Sequence, residues 1–301
     1  MYAEELGAFE DLLRLFEARL PAAAVEEKID LWRRIAGLQA ARLGDVDAAI
    51  ETYRKLLRER PSAVEAVQSL ETLLQSSGKL DLLAGFYRER LDEAEDDEPR
   101  LAWLLKLAAL LDEGLDRSDE AVETYLEVLK IDADQPAALD ALERIYAVTN
   151  RPRDLASILR RKRSKAEGEA RRDLTFRLGQ LYAGPLSDDE RAIESFREVL
   201  EGEPGHAASI AALETYLGRP KHRLEVAKFL EPHFLAANNF PKLAWVLQVI
   251  VEGTASGPER LELLRRLVRV HDEALGDQES AFAAVTEAVS EYPEEEPLWD
   301  D

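Results

Sequence analysis

The chain has 301 residues, 46% apolar, 33% charged and 7% aromatic, with 61 acids against 39 bases and a formal net charge of -22. Its length is ample for a buried core, and an apolar content that leans on Leu and Ala favours helix over sheet. The acidic balance argues against general nucleic-acid binding, which is driven by counterion release from phosphates, and favours basic partners. With no cysteine, disulfides, thiolate metal sites and cysteine nucleophiles are excluded. The acidic start MYAEELGAFEDLL carries no secretory signal pattern. The most apolar stretches, LAWLLKLAALL and LAWVLQVIV, fall far short of the roughly 20 residues of a membrane span, so a cytoplasmic location is expected by default.

In chain order, residues 1–22 read as a partial hairpin, because GAFEDLLRLFEARL (7–20) aligns with GKLDLLAGFYRERL (78–91), which is the second helix of a hairpin. Residues 26–204 read as five regular helical hairpins. Four segments superimpose: DAAIETYRKLL from Asp47, DEAVETYLEVL from Asp119, ERAIESFREVL from Glu190 and, more weakly, ESAFAAVTEAV from Glu279. Their anchoring alanines, Ala49, Ala121, Ala192 and Ala281, are separated by 72, 71 and 89 residues. A second family, AVQSLETLL, ALDALERIY and SIAALETYL, keeps the first two separations at Leu70, Leu142 and Leu213, so two kinds of unit alternate at about half that period. Apolar residues recur at three and four within each unit, the pattern of amphipathic helices. Gly44, Gly78 and Asn150 suit left-handed turns after helices, and Pro61, Pro136 and Pro204 suit helix entry.

Residues 205–256 read as an irregular segment with about one extra helix, since the last separation exceeds the first by 17 residues. The surplus falls in Gly218–Gly253, where Pro232 is expected to kink or split a helix. Residues 257–292 read as a further hairpin, and residues 293–301 as the start of a truncated one with Trp299 as its first core residue. Both ends thus cut a unit. The sequence reads as a fragment of a longer array, the alternative being half-hairpins that complete each other between copies.

GDVDAAIETYRKLLRERP (44–61) and RLGQLY (177–182) resemble the tetratricopeptide repeat, with its turn glycine, small alanine, aromatic and closing proline at Gly44, Ala49, Tyr53 and Pro61. The resemblance implies an all-α, superhelical α-solenoid of stacked antiparallel hairpins, irregular around 218–256. Leu83 and Leu155 depart from it, standing where the small alanine is expected, and imply wider helix crossings there. The resemblance also implies a concave groove lined by the first helix of each hairpin. That places Arg34, Gln68, Lys106, Arg144, Phe176 and Gln180 at or near the groove, with Trp103 close by, although Trp103 and Phe176 equally suit a core. The Lys and Asn pair with which related domains clamp a chaperone's C-terminal carboxylate is missing: Arg34 with Leu38, and Lys106 with Leu110, stand there.

No chemistry stands out. SSGKLD lacks the upstream glycine of a phosphate loop, and His206, His222, His233 and His271 show no metalloprotease spacing. DADQP (132–136) lacks the glycine and closing glutamate of a calcium loop. No catalytic residue, cofactor or metal is expected. A local charge reversal does stand out: Arg151 to Arg177 holds ten bases against four acids, with Arg160, Arg161, Lys162, Arg163, Lys165, Arg171 and Arg172 at its centre. It reads either as a docking patch for an acidic protein segment or as a helix end complementing its macrodipole and pairing with neighbouring acids. The expected function is a non-catalytic scaffold that binds a peptide or protein through the groove, the basic patch or both. A self-assembling structural element and the regulatory repeat region of an enzyme are the alternatives.

Overall fold

The computed structural model describes residues 2–293, with side chains from residue 7 onward, as two compact units, 1–145 and 146–301. The hairpin start expected at 293–301, Trp299 included, lies outside the described residues apart from position 293. Among the described residues every regular element is helical. The first unit holds α1 (Tyr2–Arg19), α2 (Val25–Leu38), α3 (Val46–Glu59), α4 (Val64–Ser76), α5 (Leu80–Glu93), α6 (Asp97–Ala109), α7 (Ser118–Ile131) and most of α8 (Pro136–Val148). The second holds α9 (Pro152–Lys165), α10 (Gly168–Ala183), α11 (Asp189–Gly202), α12 (Ala207–Glu214), α13 (Arg223–Ala236), α14 (Phe240–Gly253), α15 (Pro258–Arg269) and α16 (Gln278–Glu291). Successive helices pack antiparallel as hairpins, an α-solenoid architecture in each unit.

The alternation of two kinds of unit has a backbone cause. Hairpins of the first kind turn at a left-handed residue in one register: Gly44 (φ 69°), Asp116 (φ 53°), Ser187 (φ 50°) and Gly276 (φ 65°). The next residue begins the second helix, and at Asp45, Asp188 and Asp277 its carboxylate accepts a backbone N–H at 3.0–3.1 Å. Such caps contribute about 1 kcal/mol each. Arg117 stands in that register without a capping side chain. Hairpins of the second kind turn at Gly78 (φ 69°), Asn150 (φ 54°) and Asn238 (φ 51°). Glycine and asparagine tolerate this conformation best, because it presses a Cβ against the backbone.

Asn238 also shows how the irregular region is built. Residues 205–256 contain three helices, and α13 packs far more extensively on α14 than on α12. Leu243-Ala244, after the Asn238 turn, repeats the Leu83-Ala84 and Leu155-Ala156 that follow Gly78 and Asn150. α13 and α14 are therefore the second-kind hairpin, and α12 stands before them as a short helix closed by a 3₁₀ turn, Thr215–Gly218, that buries Tyr216 and Leu217. Of the two outcomes expected at Pro232, a kink or a split, the split does not occur: α13 runs unbroken through it.

Core volumes are traded between neighbouring positions. Ala49-Ile50 becomes Leu83-Ala84 in the second kind of unit, with all four side chains buried, so the small residue moves by one position rather than disappearing. In α10 the small residue is Gly179, and a Cβ there would stand 2.6 Å from the buried ring of Phe196. The Leu-Gly of RLGQLY thus lets α11 approach closely enough to seat that ring.

Candidate functional site

In the first unit, ion pairs link the first helix of each hairpin to the next. Arg33 on α2 reaches Glu65 on α4 at 2.7 Å, Glu71 on α4 receives Lys106 of α6 at 2.6 Å, and Asp112, just past α6, is bound by Arg144 of α8. Asp112 is 4% exposed and Arg144 53%, so the arginine covers a buried carboxylate. Two of the expected groove residues, Lys106 and Arg144, are thus tied into contacts between repeats, and Arg34 pairs with Asp30 of its own helix at 2.8 Å.

Gln68 differs, being exposed on the wall of an open cleft of about 580 Å³ with Glu65, Ser69, Thr72 and Ser76, over Tyr53. Trp103 is half-buried, 5.7 Å from the Tyr87 ring and 6.4 Å from Phe86 by centroids, and the Lys106 ammonium sits 4.7 Å from its own ring centre. It is at once packed and accessible. Burial and the Glu71 carboxylate push the Tyr87 hydroxyl far above its ordinary range, and burial with Asp112 and Glu113 pushes Tyr125 up to about 12.

In the second unit Phe176 is half-buried against Phe196 (5.6 Å) and His206 (5.0 Å), while Gln180 is exposed. The structure does not bring the basic residues together as a free patch. Glu198 on α11 is held by Arg163 and Arg171, each at 3.1 Å, and Arg172 reaches Glu203 at 3.3 Å. Arg161, Lys162 and Lys165 each interact with other groups of the protein. Arg160 is exposed at the edge of this network.

A cleft of about 710 Å³ in this unit was not foreseen. It lies along α11 and the start of α13, lined by five glutamates with Ile193, Arg197, Lys221 and His222. Lys221 pairs with Glu190 at 2.8 Å and Arg197 with Glu225 at 2.7 Å, holding Glu190 below the ordinary carboxylate range in the first case. Among the described residues, the side chains of Glu194 and Glu201 line it with neither hydrogen bond nor ion pair. Glu190, Glu194, Glu198 and Glu201 form a stripe at spacings of four, four and three on α11, a readable helical signal that the acid-rich composition hides.

Among the described residues no group of three or more His, Asp or Glu is placed to hold a metal ion, and no helix is long and apolar enough to cross a membrane. The family model for the tetratricopeptide repeat matches residues 32–63. No curated protein matches the chain. Solved structures similar to it include the tetratricopeptide domain of P58(IPK), 16% identical, covering 96% of this chain and 85% of that one at a TM-score of 0.33. YrrB, described as a tetratricopeptide protein with an unusual peptide-binding site, is 14% identical over 69% and 93% of the two chains, at a TM-score of 0.29. A tetratricopeptide repeat protein from Parabacteroides merdae is 13% identical over 90% and 95%, at a TM-score of 0.37. At these identities and scores nothing about partners transfers from them. Residues 32–63 are thus similar to a tetratricopeptide repeat, and the same kind of helical hairpin recurs in both units.

Proposed function

We propose that the chain is a non-catalytic protein-interaction scaffold that holds a peptide or protein partner along the first helices of its hairpins. The observation that supports this reading most is the first unit's open cleft beside Gln68, together with the half-buried Trp103 under Lys106 on the following hairpin. Exposed polar side chains on one hairpin and an accessible indole on the next are what an extended peptide uses for orientation and for anchoring. Photo-crosslinkers placed at Gln68 and at Trp103, with one at Glu59 as a surface control, test it in the native cell. A discrete adduct from the first two and none from the control is expected. Equal labelling at all three sites contradicts the reading.

The basic patch supports a secondary contact with an acidic segment only through its edge. Arg160→Glu is expected to weaken such a contact while leaving the crosslinks unchanged. Self-assembly is favoured by one observation, the apolar side chains left exposed on α1 (Leu12, Leu15) and on α16 (Phe282). It predicts concentration-dependent oligomers in light scattering, and a monomer at high concentration removes it.

A further inference from the structure

We propose that the cleft between α11 and α13 is a second docking site, for a Lys- or Arg-rich segment of a protein partner. Two independent observations meet there. The first is an asymmetry among the acids: Glu190, Glu198 and Glu225 are each neutralised by a base of this chain, whereas Glu194 and Glu201 are exposed and have no partner. Two unpaired carboxylates two helical turns apart, beside three paired ones, leave a local deficit of positive charge.

The second observation is His222 on the cleft wall. Its side chain is only 7% exposed, and among the described residues its ring nitrogens have no protein hydrogen-bond partner; Asp189 Oδ2 stands 4.0 Å from Nε2, beyond hydrogen-bonding range. Behind it the Tyr216 ring stands edge-on at 6.2 Å, and its hydroxyl is buried and unpartnered as well. A ring nitrogen on the wall of a cleft, when it carries no proton, can accept a hydrogen bond from an ammonium or guanidinium.

The chemistry selects a cation carried on a chain. An anion would meet five glutamates, and no set of three ligands here could hold a metal. Glu194 and Glu201 lie about 10 Å apart along the helix axis at 1.5 Å per residue. An extended peptide covers that distance in about three residues, so bases at positions one and four of a segment reach both carboxylates. The volume and open form of the cleft suit a segment rather than a single side chain.

Fluorescence anisotropy with a labelled hexalysine peptide at low salt tests this proposal on the full chain. Binding is expected, with E194Q/E201Q weakening it at least about tenfold and H222F about threefold or more, the latter with an unchanged circular dichroism spectrum. E59Q/E127Q removes the same charge from exposed acids elsewhere and is expected to change it less than about twofold. Equal losses from the two glutamine double variants would reduce the effect to net charge and overturn the site. Absent binding to the wild-type chain also overturns it, as does displacement by spermine at equal charge concentration, which would assign the cleft to a polyamine. None of these results bears on the groove of the first unit, whose test uses different residues.

Discussion

The ladder of charges in the first unit and the acid stripe of α11 in the second use the same residue types to opposite ends. In the ladder each acid meets a base some 32 to 35 residues away, on the neighbouring repeat, and the charges fasten neighbouring first helices together. On α11 the stripe is only partly answered: Glu198 is clamped by two arginines, while Glu194 and Glu201 face an open cleft. The difference separates charge that builds the array from charge that remains available to a partner. Net charge alone cannot make that distinction, because it counts a carboxylate the same whether or not a base lies against it.

The ladder should break most visibly at its most buried rung. Arg144→Ala removes the base that pairs with the Asp112 carboxylate in its largely buried site, and a loss of about 1–3 kcal/mol in urea unfolding is expected. Next comes alkaline pH. The Tyr125 hydroxyl ordinarily ionises near 10.0 and is held up to about 12 by burial and by Asp112 and Glu113, against the opposing pull of Arg144. The folded chain therefore keeps this proton longer than the unfolded one. Its contribution, on the order of 1–2 kcal/mol, is fully present below pH 10 and disappears as pH rises through about 12. Melting temperatures measured across that window should fall less steeply for Tyr125→Phe than for the wild-type chain.

A smaller effect is expected at Lys106, whose pair with Glu71 is half-exposed and whose cation rests on Trp103. Lys106→Met should cost about 0.5–1 kcal/mol in the same unfolding experiment. The smallest effect belongs to α11: Glu194→Gln with Glu201→Gln should shift stability by no more than about 0.5 kcal/mol, and upward if at all. Relief of like-charge neighbours on one helix face is worth a few tenths of a kcal/mol.

Much of this architecture was legible in the sequence because it is local. Gly44, Gly78 and Asn150 announce left-handed turns by residue type, and the recurring Ala-Ile and Tyr of DAAIETY mark a buried face by spacing alone. Asp116 and Ser187 take the same left-handed conformation without announcing it, since neither type requires it, and only their register with Gly44 and Gly276 gives them away. The extra helix was countable from the 89-residue separation, but which helices pair was not. That depended on recognising Asn238 as the counterpart of Asn150 within a segment that also contains a misleading proline, Pro232.

The interaction surfaces were less legible for a physical reason. Arg34, Gln68, Trp103 and Lys106 could be placed at or near a groove by the resemblance to the tetratricopeptide repeat, yet whether a charge is free depends on which acid the neighbouring repeat brings within about 4 Å. That is a property of stacking. Lys106 and Arg144, read as groove bases, also pair with acids of neighbouring repeats, while Glu194 and Glu201, lost among 61 acids, emerged as unpaired only once α13 was laid beside α11.

The division between fastening and available charge is tested most directly by urea unfolding of E194Q/E201Q set beside Arg144→Ala under identical conditions. The account predicts a midpoint at or above wild type for the first and a clearly lower one for the second. A lowered midpoint for E194Q/E201Q would show that those glutamates hold the array together, and would contradict the claim that they stand free for a partner.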